Sequence, residues 1–130
     1  MSKNPFMLDG DVAVITGAGS GIGEGTAYVL ANAGARIVCA ARREAEIERV
    51  AAAIRDAGGE AIAVRTDVTV DDDVERVMQA AMDEWGQLDI LVNNAGGSPL
   101  QAPLIDLSRE EWDATLALNL TAVWMCTRVA

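Results

Sequence analysis

Short apolar runs alternate with longer amphipathic segments along this chain. Four runs rich in β-branched and small apolar residues predict buried strands, and they cover residues 11–16, 36–41, 60–66 and 88–92. Between them, apolar residues recur every three or four positions, which predicts helices over residues 21–33, 43–57 and 71–85. This alternation of strand and helix is typical of βαβ units, which build a parallel sheet.

The last helical pattern begins at Ser108 and meets no stop signal before the final residue. Ser108 as the N-cap and Glu111 three residues later form the sequence pattern of a capping box. Apolar residues follow two sides of this helix: one carries Trp112, Leu116, Leu120 and Val123, and the other carries Ala114, Leu118, Ala122, Met125 and Val129. A helix that is apolar all round is buried all round. One side can cover the sheet, and we expect the other to need a further partner.

A glycine-rich turn joins the first predicted strand to the first predicted helix. Residues 16–23 read TGAGSGIG. Small residues let the backbone turn sharply and approach a pyrophosphate, while the amides near Ser20 to Gly23 point at that anion from the helix N-terminus. The spacing is neither GxGxxG nor a Walker pattern, since no Lys-Ser/Thr pair follows the last glycine. A tight strand-to-helix turn without a ligand is the alternative.

Charge excludes some classes of partner. The chain carries ten basic against twenty acidic residues, for a net charge of −10. A nucleic-acid binder needs a basic footprint, and an acidic surface disfavours anionic membranes. The longest apolar stretch, residues 116–125, is interrupted by Asn119 and Thr121 and is too short to span a bilayer. We expect neither nucleic acid nor membrane as a partner, and an apolar content of 51% predicts a globular domain.

The chain has two cysteines, Cys39 and Cys126, and no histidine. Without a CxxC pair or a histidine, a zinc site of the usual kinds is not expected, and we predict no metal site. Both cysteines lie in apolar runs, which predicts buried, reduced thiols and a cytoplasmic protein. The N-terminus lacks the apolar segment of a signal peptide.

Three motifs, in order and on the expected elements, resemble those of the short-chain dehydrogenase/reductase family. They are TGxxxGIG at residues 16–23, Asp67 with Val68 after the third strand, and Asn-Asn-Ala-Gly at residues 93–96 after the fourth. The resemblance implies an α/β, Rossmann-like, doubly wound parallel sheet of about four strands in the order 3-2-1-4, with flanking helices. It implies that residues 1–130 form a single dinucleotide-binding domain that is incomplete at its C-terminus.

The resemblance also assigns cofactor contacts. It implies that Asp67 bonds the adenine amino group beside the Val68 backbone, and that Asn94, Ala95 and Gly96 lie against the cofactor ribose. The contacts from the glycine-rich turn are Gly17, Ser20, Gly21, Ile22 and Gly23. Asn93 is predicted to brace the sheet through its side chain. The alternatives are that Asp67 is an ordinary residue leading into a helix, and that residues 93–96 form a turn that ends a strand.

The end of the second strand bears on the choice between NADP and NAD. An acid near Ala41 would bind a ribose 2′-hydroxyl, but no acid is present there and Arg42 follows directly. A guanidinium can hold a 2′-phosphate with paired hydrogen bonds, so NADP is predicted, with NAD as the alternative. Ser20 departs from the basic residue that NADP-preferring members often carry in the turn. The other interpretation is that Arg42 and Arg43 simply lie on a solvated helix face.

Asn119 is a polar residue in an apolar stripe, and it needs hydrogen-bond partners or lowers stability by about 1–3 kcal/mol. The resemblance implies that it lies where the helix is locally distorted and binds a water of the proton relay, which makes it the one predicted catalytic residue. A structural Asn bonding nearby backbone is the alternative. The resemblance further implies a homo-oligomer, dimer or tetramer, formed through the helix at residues 108–130.

The family's catalytic Ser, Tyr and Lys have no counterparts here. The only Tyr is Tyr28 and the only Lys is Lys3, while Ser98 and Ser108 come too early. The resemblance therefore implies the N-terminal part of an oxidoreductase that exchanges hydride between a nicotinamide cofactor and a carbonyl or secondary alcohol. Residues 97–107 are expected to line a wall of the substrate site. A non-catalytic NADP(H)-binding module and an inactive fragment are the alternatives, and we expect no turnover from these 130 residues alone.

Overall fold

The computed structural model describes residues 4–98 and 102–130, and strands and helices alternate through it. The strands are β1 (Val12–Thr16), β2 (Arg36–Ala41), β3 (Ala61–Arg65) and β4 (Ile90–Val92). The helices are α1 (Gly21–Asn32), α2 (Glu44–Asp56), α3 (Asp71–Trp85), α4 (Arg109–Leu116) and α5 (Ala122–Val129). A short 3-10 turn at Leu104–Asp106 precedes α4, and a π-helical segment at Ala117–Thr121 joins α4 to α5.

All strands described are parallel and form one sheet in the order β3-β2-β1-β4. This confirms the predicted order and the α/β class. The chain moves outwards from β1 to β3 and then returns to place β4 on the other side of β1. The order reverses at that point, and ligands of open parallel sheets bind outside the carboxyl ends of the strands there.

Both faces of the sheet are buried, because helices cover each of them. Side chains alternate along a strand, so Ala13 and Ile15 of β1 pack with α1 and α2, while Val12 and Val14 pack with α3 and α5. All residues of β1 are buried. A strand buried on both faces reads as a continuous apolar run rather than as an alternation, and this is why residues 12–15 are all apolar.

Several predicted ends are wrong by one or two residues. The strands predicted at 11–16, 60–66 and 88–92 are shorter in the structure, and α1 ends one residue early. β4 begins at Ile90 because the Asp89 carboxylate, rather than a backbone carbonyl, accepts the Val12 amide at 2.8 Å. α2 begins at Glu44 because Arg43 has extended backbone angles and is its N-cap.

The last helical region confirms the capping box: the Ser108 hydroxyl accepts from the Glu111 amide at 3.2 Å, and the Glu111 carboxylate accepts from the Ser108 amide at 2.7 Å. Ala122 and Cys126 are buried against the core. The opposite side is open, with Trp112, Leu120 and Trp124 exposed by 44%, 63% and 56%. The side carrying Ala122 is therefore the one that covers the sheet. Within the described residues, no helix is long and apolar enough to cross a membrane.

Candidate functional site

A cleft of about 580 Å³ lies at the carboxyl ends of the strands, where the strand order reverses. Most of the predicted cofactor contacts line it: Gly17, Ser20, Ile22, Arg42, Asp67, Val68, Asn94, Ala95 and Gly96. Gly21, Gly23 and Asn119 are not among its lining residues. The fold thus brings the three sequence motifs, far apart in the chain, to one site.

Gly23 lies beneath the turn and does not face the cleft. It is buried, and a Cβ built on it would overlap the carbonyl oxygen of Gly17 and crowd the Asn94 amide. Its role is to let α1 pack directly on the turn, as the third glycine of a dinucleotide fingerprint does. Gly21, in contrast, has open space around it but a φ of +56°, a left-handed conformation that glycine adopts at little cost.

Thr16 and Asn94 join the glycine-rich turn to the end of β4. The buried Thr16 hydroxyl accepts from the backbone amides of Asn94 and Ala95 at 3.1 and 3.0 Å. The Asn94 side chain donates to the carbonyl oxygens of Thr16 and Gly17 at 3.1 and 3.2 Å. These bonds hold two walls of the cleft at a fixed separation.

The prediction for Asn93 is wrong. Its exposed side chain donates to the Thr127 hydroxyl of α5 at 3.1 Å, and Asn94 is the residue that braces the sheet. The reason is the alternation of side chains at the end of β4, which turns Asn94 towards β1 and Asn93 towards α5.

A second brace holds the turn from α2. Arg49 donates to both carboxylate oxygens of Glu24 at 2.8 and 3.0 Å, and to the Gly19 carbonyl oxygen at 3.2 Å. Hydrogen bonds from Arg49 and then from Tyr28 hold the pKa of Glu24 below its ordinary value. The Gly19 carbonyl is thus fixed by a charged group, and its orientation sets that of the neighbouring amides.

The basic residues at the end of β2 differ in their pairing. Arg43 donates to Glu46 at 2.8 Å, whereas Arg42 makes no ion pair or hydrogen bond within the described part of the chain. Both arginines and Glu46 line the cleft. Arg42 is exposed and has its guanidinium available to an incoming anion.

Asp67 faces the cleft at the end of β3. Its carboxylate accepts from the hydroxyl and the amide of Thr69 at 2.6 and 2.9 Å. The Thr69 hydroxyl is the main cause of the lowered pKa of Asp67, with a smaller contribution from the charge of Arg42. The Asp67 amide donates to Asp73 at 2.8 Å, which fixes the turn before α3 and lowers the pKa of Asp73. Asp67 is therefore an ionised acceptor in a defined orientation.

Asn119 lies in the π-helical segment, so the local distortion implied by the resemblance is present. Its amide group donates to the Gly97 carbonyl at 2.7 Å and to the Thr115 carbonyl at 3.0 Å, and its oxygen accepts from the Gly97 amide at 2.9 Å. A side chain inserted into the i→i−4 ladder in this way is a known cause of helix distortion. Asn119 thus joins the last helix to the end of the Asn-Asn-Ala-Gly turn.

Other polar candidates lie elsewhere. Tyr28 is in α1, away from the cleft; its hydroxyl donates to Glu24 at 3.0 Å, and burial is the main cause of its raised pKa. Lys3 and residues 99–101 of the expected substrate loop lie outside the described residues. Across residues 4–98 and 102–130, no cluster of three His, Cys, Asp or Glu side chains could hold a metal ion.

Sequence reasoning missed several residues of the site. Arg43, Glu46 and Thr69 line the cleft, and Thr16 positions its backbone by accepting from the Ala95 amide. Thr16 had a signal, since it is a lone polar residue at the end of an apolar strand. Glu46 and Arg49 had none, because their contacts with Gly19 depend on how α2 packs beside the turn.

Comparison with known proteins assigns the fold to a family. Residues 11–130 match the family described as short chain dehydrogenase. The chain is 46% identical over 119 residues to cis-4-hydroxycyclohexanecarboxylate dehydrogenase of Sinomonas cyclohexanicum, covering 92% of this chain and 47% of that protein. It is 41% identical over 125 residues to D-threitol dehydrogenase of Mycolicibacterium smegmatis, covering 95% and 48%.

A solved structure agrees with these sequence matches. The crystal structure of a hydroxysteroid dehydrogenase from Escherichia coli superposes with a TM-score of 0.90 at 34% identity, covering 95% of this chain and 52% of that one. The chain spans about half the length of the relatives it matches. From the match over residues 11–130, the cleft and the strand order, the chain belongs to the short-chain dehydrogenase/reductase family.

Proposed function

We propose that this chain binds NADP as the cofactor half of an oxidoreductase that interconverts a carbonyl and a secondary alcohol. The observation that carries the proposal is the cleft itself, which is lined by a glycine-rich turn and by Arg42, an arginine with no ion-pair partner among the described residues. The named dehydrogenases among its relatives support the reaction class. NAD is the alternative cofactor.

The residues present fit a dinucleotide. The cradle is shaped by missing side chains, since a Cβ on Gly17 would lie 2.7 Å from the Asn94 amide and one on Gly96 would lie 2.8 Å from the Asn119 oxygen. These glycines let the turns pack closely on one another, so that backbone lines the cleft. The amides at the start of α1 favour a pyrophosphate, and α1 adds the positive end of its dipole. The cofactor would supply the hydride chemistry.

The predicted site residues have proposed tasks. Arg42 binds the 2′-phosphate, and Asp67 accepts a hydrogen bond from the adenine amino group beside the Val68 backbone. Asn94, Ala95 and Gly96 lie against the nicotinamide-side ribose. Asn119 holds Gly97 and retains acceptor capacity on its oxygen for a water of the proton relay.

A proton donor with a pKa near neutrality is the part that the chain does not supply. Tyr28 has a raised pKa and lies outside the cleft, and the only Lys is Lys3. We therefore propose that the chain binds cofactor and carries out no turnover by itself. A non-catalytic NADP(H)-binding module is the second candidate function. Both cysteines are free and buried, which supports a reducing, cytoplasmic location.

NADP titration of the 130-residue chain and of Arg42→Gln tests the cofactor assignment. We expect the variant to bind NADP about tenfold more weakly, because one charge-assisted contact to the 2′-phosphate is lost, and to bind NAD as the wild type does. The measurement is calorimetric titration of both nucleotides. Arg109→Gln is the control: it removes the same charge from an exposed residue of α4 and should leave both affinities unchanged.

Two results would contradict the cofactor assignment. A folded wild-type chain that binds neither nucleotide would overturn nucleotide binding altogether. An Arg42→Gln variant that loses NAD and NADP affinity equally would leave a nucleotide site but overturn the preference for NADP. Turnover of carbonyl substrates by the chain alone would contradict the claim that it lacks its proton donor.

We also propose that the chain forms a homo-oligomer through residues 108–130. The side of the last helical region that carries Trp112, Leu120 and Trp124 is exposed, and an apolar patch of this kind is typical of an interface. Leu120→Glu is expected to shift the chain towards monomer in sedimentation velocity. Val29→Glu, at an exposed apolar residue of α1 outside this region, should have no effect. A wild-type chain that is monomeric at every concentration tested would refute the interface.

A further inference from the structure

The ribose end of the cleft contains a carboxylate that the proposed function leaves unused. Glu46 stands in the first turn of α2 and lines the cleft with Arg42 and Arg43. A Cβ built on Gly19 would lie 3.0 Å from the Glu46 Cβ and 3.1 Å from its Oε2. Glu46 therefore lies directly against the glycine-rich turn. Its carboxylate borders the site.

Glu46 also determines the charge that the two arginines present. Its Oε1 accepts from Arg43 Nη1 at 2.8 Å, while no such partner holds Arg42 within residues 4–98 and 102–130. The charge of the Arg43 guanidinium is thus offset by the Glu46 carboxylate of the first turn of α2. A ligand at this end of the cleft therefore meets the positive charge of Arg42 beside a pair, Arg43 with Glu46, whose charges offset each other.

This arrangement acts differently on the two nicotinamide cofactors. In a dinucleotide fold, the adenosine ribose lies between the glycine-rich turn and the end of the second strand. A 2′-phosphate there is attracted by Arg42 and repelled by Glu46, and it can recruit Arg43 only by displacing Glu46. A 2′-hydroxyl carries no charge, so neither effect applies to it.

We infer that Glu46 is a specificity-determining residue. It weakens the binding of nucleotides with a 2′-phosphate and so reduces the preference for NADP over NAD that Arg42 creates. The inference rests on the proposed function, because it requires that the cleft bind a nicotinamide dinucleotide. Glu46 acts through charge and through Arg43, so its effect is larger on a 2′-phosphate than on the pyrophosphate that both cofactors share.

Glu46→Gln tests this, because glutamine keeps the length of the side chain and an oxygen that can accept from Arg43. The probes are NADP, NAD, adenosine 2′,5′-bisphosphate and ADP, titrated calorimetrically into the 130-residue chain. We expect the variant to bind the two 2′-phosphorylated probes about tenfold more tightly than the wild type, and NAD and ADP within about twofold. The gain should shrink as salt is raised, since the charges are near solvent.

Glu44→Gln is the matched control. Glu44 is in the same first turn of α2, so its replacement changes the net charge and the charge near the helix dipole equally, but it does not line the cleft. The ratio of NADP to NAD affinity should remain that of the wild type in this variant. An equal gain in both variants would mean a general effect of net charge and would overturn the inference.

The remaining outcomes separate the inference from the function on which it rests. Nucleotide binding with an unchanged ratio in Glu46→Gln overturns the inference and leaves the proposed function standing. A ratio that rises only because NAD binds more weakly would make Glu46 an acceptor for the 2′-hydroxyl, which also overturns it. If no folded variant binds any of the four probes, the proposed function fails and the inference fails with it.

Discussion

Gly23→Ala is expected to lower the free energy of unfolding by about 2–3 kcal/mol and to abolish nucleotide binding. The added methyl group would overlap the Gly17 carbonyl oxygen and press on the Asn94 amide. Neither can move away freely, since Gly17 is part of the turn and Asn94 is bonded to it at 3.2 Å. Relief requires α1 to shift from the turn, and that shift opens the cradle. The measurements are urea unfolding and NADP titration.

Gly25→Ala is the control for this prediction, because it makes the same chemical change two residues later in α1. Nothing lies within 4 Å of a Cβ built on Gly25. Alanine is the better helix former by about 1 kcal/mol, so Gly25→Ala should stabilise the fold and leave binding intact. If both variants lose stability alike, the cause is helix α1 in general and the close contact at Gly23 is not responsible.

Thr16→Val is expected to have the second largest effect. Valine matches threonine in shape but cannot accept the Ala95 amide, which the Thr16 hydroxyl accepts at 3.0 Å. The Asn94 amide retains a bond to the Val92 carbonyl at 3.0 Å, so one donor loses its partner completely. An unsatisfied amide next to a buried residue costs about 1–3 kcal/mol of stability. The loosened turn at residues 94–96 should also weaken NADP binding.

Thr26→Val separates this effect from the general cost of replacing threonine by valine. The Thr26 hydroxyl only donates to the Ile22 carbonyl at 2.8 Å within α1, and its loss orphans no amide. We expect a change of about 0.5 kcal/mol or less in urea unfolding. Hydrogen exchange should then show faster exchange of the Ala95 amide in Thr16→Val alone. Equal protection of that amide in wild type and Thr16→Val would contradict the assigned role.

The braces around the glycine-rich turn have a common purpose. Asn94 holds it from the end of β4, Thr16 at the end of β1 accepts from the Ala95 amide, and Arg49 holds it from α2 through the Gly19 carbonyl. A backbone site that binds an anion through amides has no side chains of its own to adjust. Its geometry must therefore be fixed in advance by its neighbours, which lowers the entropy lost on binding.

The parallel sheet and the position of the cleft could be predicted from the sequence for a physical reason. Strands buried on both faces must be apolar throughout, and helices that cover them must be apolar every three or four residues. The order of such segments, together with the turns at residues 16–23 and 93–96, therefore predicted the parallel sheet and the edge that carries the cleft. The element ends were less accurate, because side-chain bonds such as that of Asp89 to Val12 replace ladder bonds there.

Local patterns could not decide between neighbouring residues or between the two sides of one helix. Asn93 and Asn94 are both polar residues at a strand end. Only the packing of β1 and α5 makes Asn94 the residue that bonds the glycine-rich turn, while Asn93 bonds α5. Both sides of the last helical region are apolar, and only the position of α3 and the sheet buries Ala122 and Cys126.

The sequence by itself determined the α/β class and the glycine-rich turn, because these follow from burial and spacing along neighbouring residues. The strand order followed only from the resemblance of its motifs to a known family. The tertiary structure alone decided that Glu46 lies against Gly19 and that Arg49 holds Glu24 from 25 residues away in the chain. These contacts join α2 to the glycine-rich turn and to α1, and their distances depend on how the helices pack on the sheet. A charge pattern along one helix carries no information about that packing.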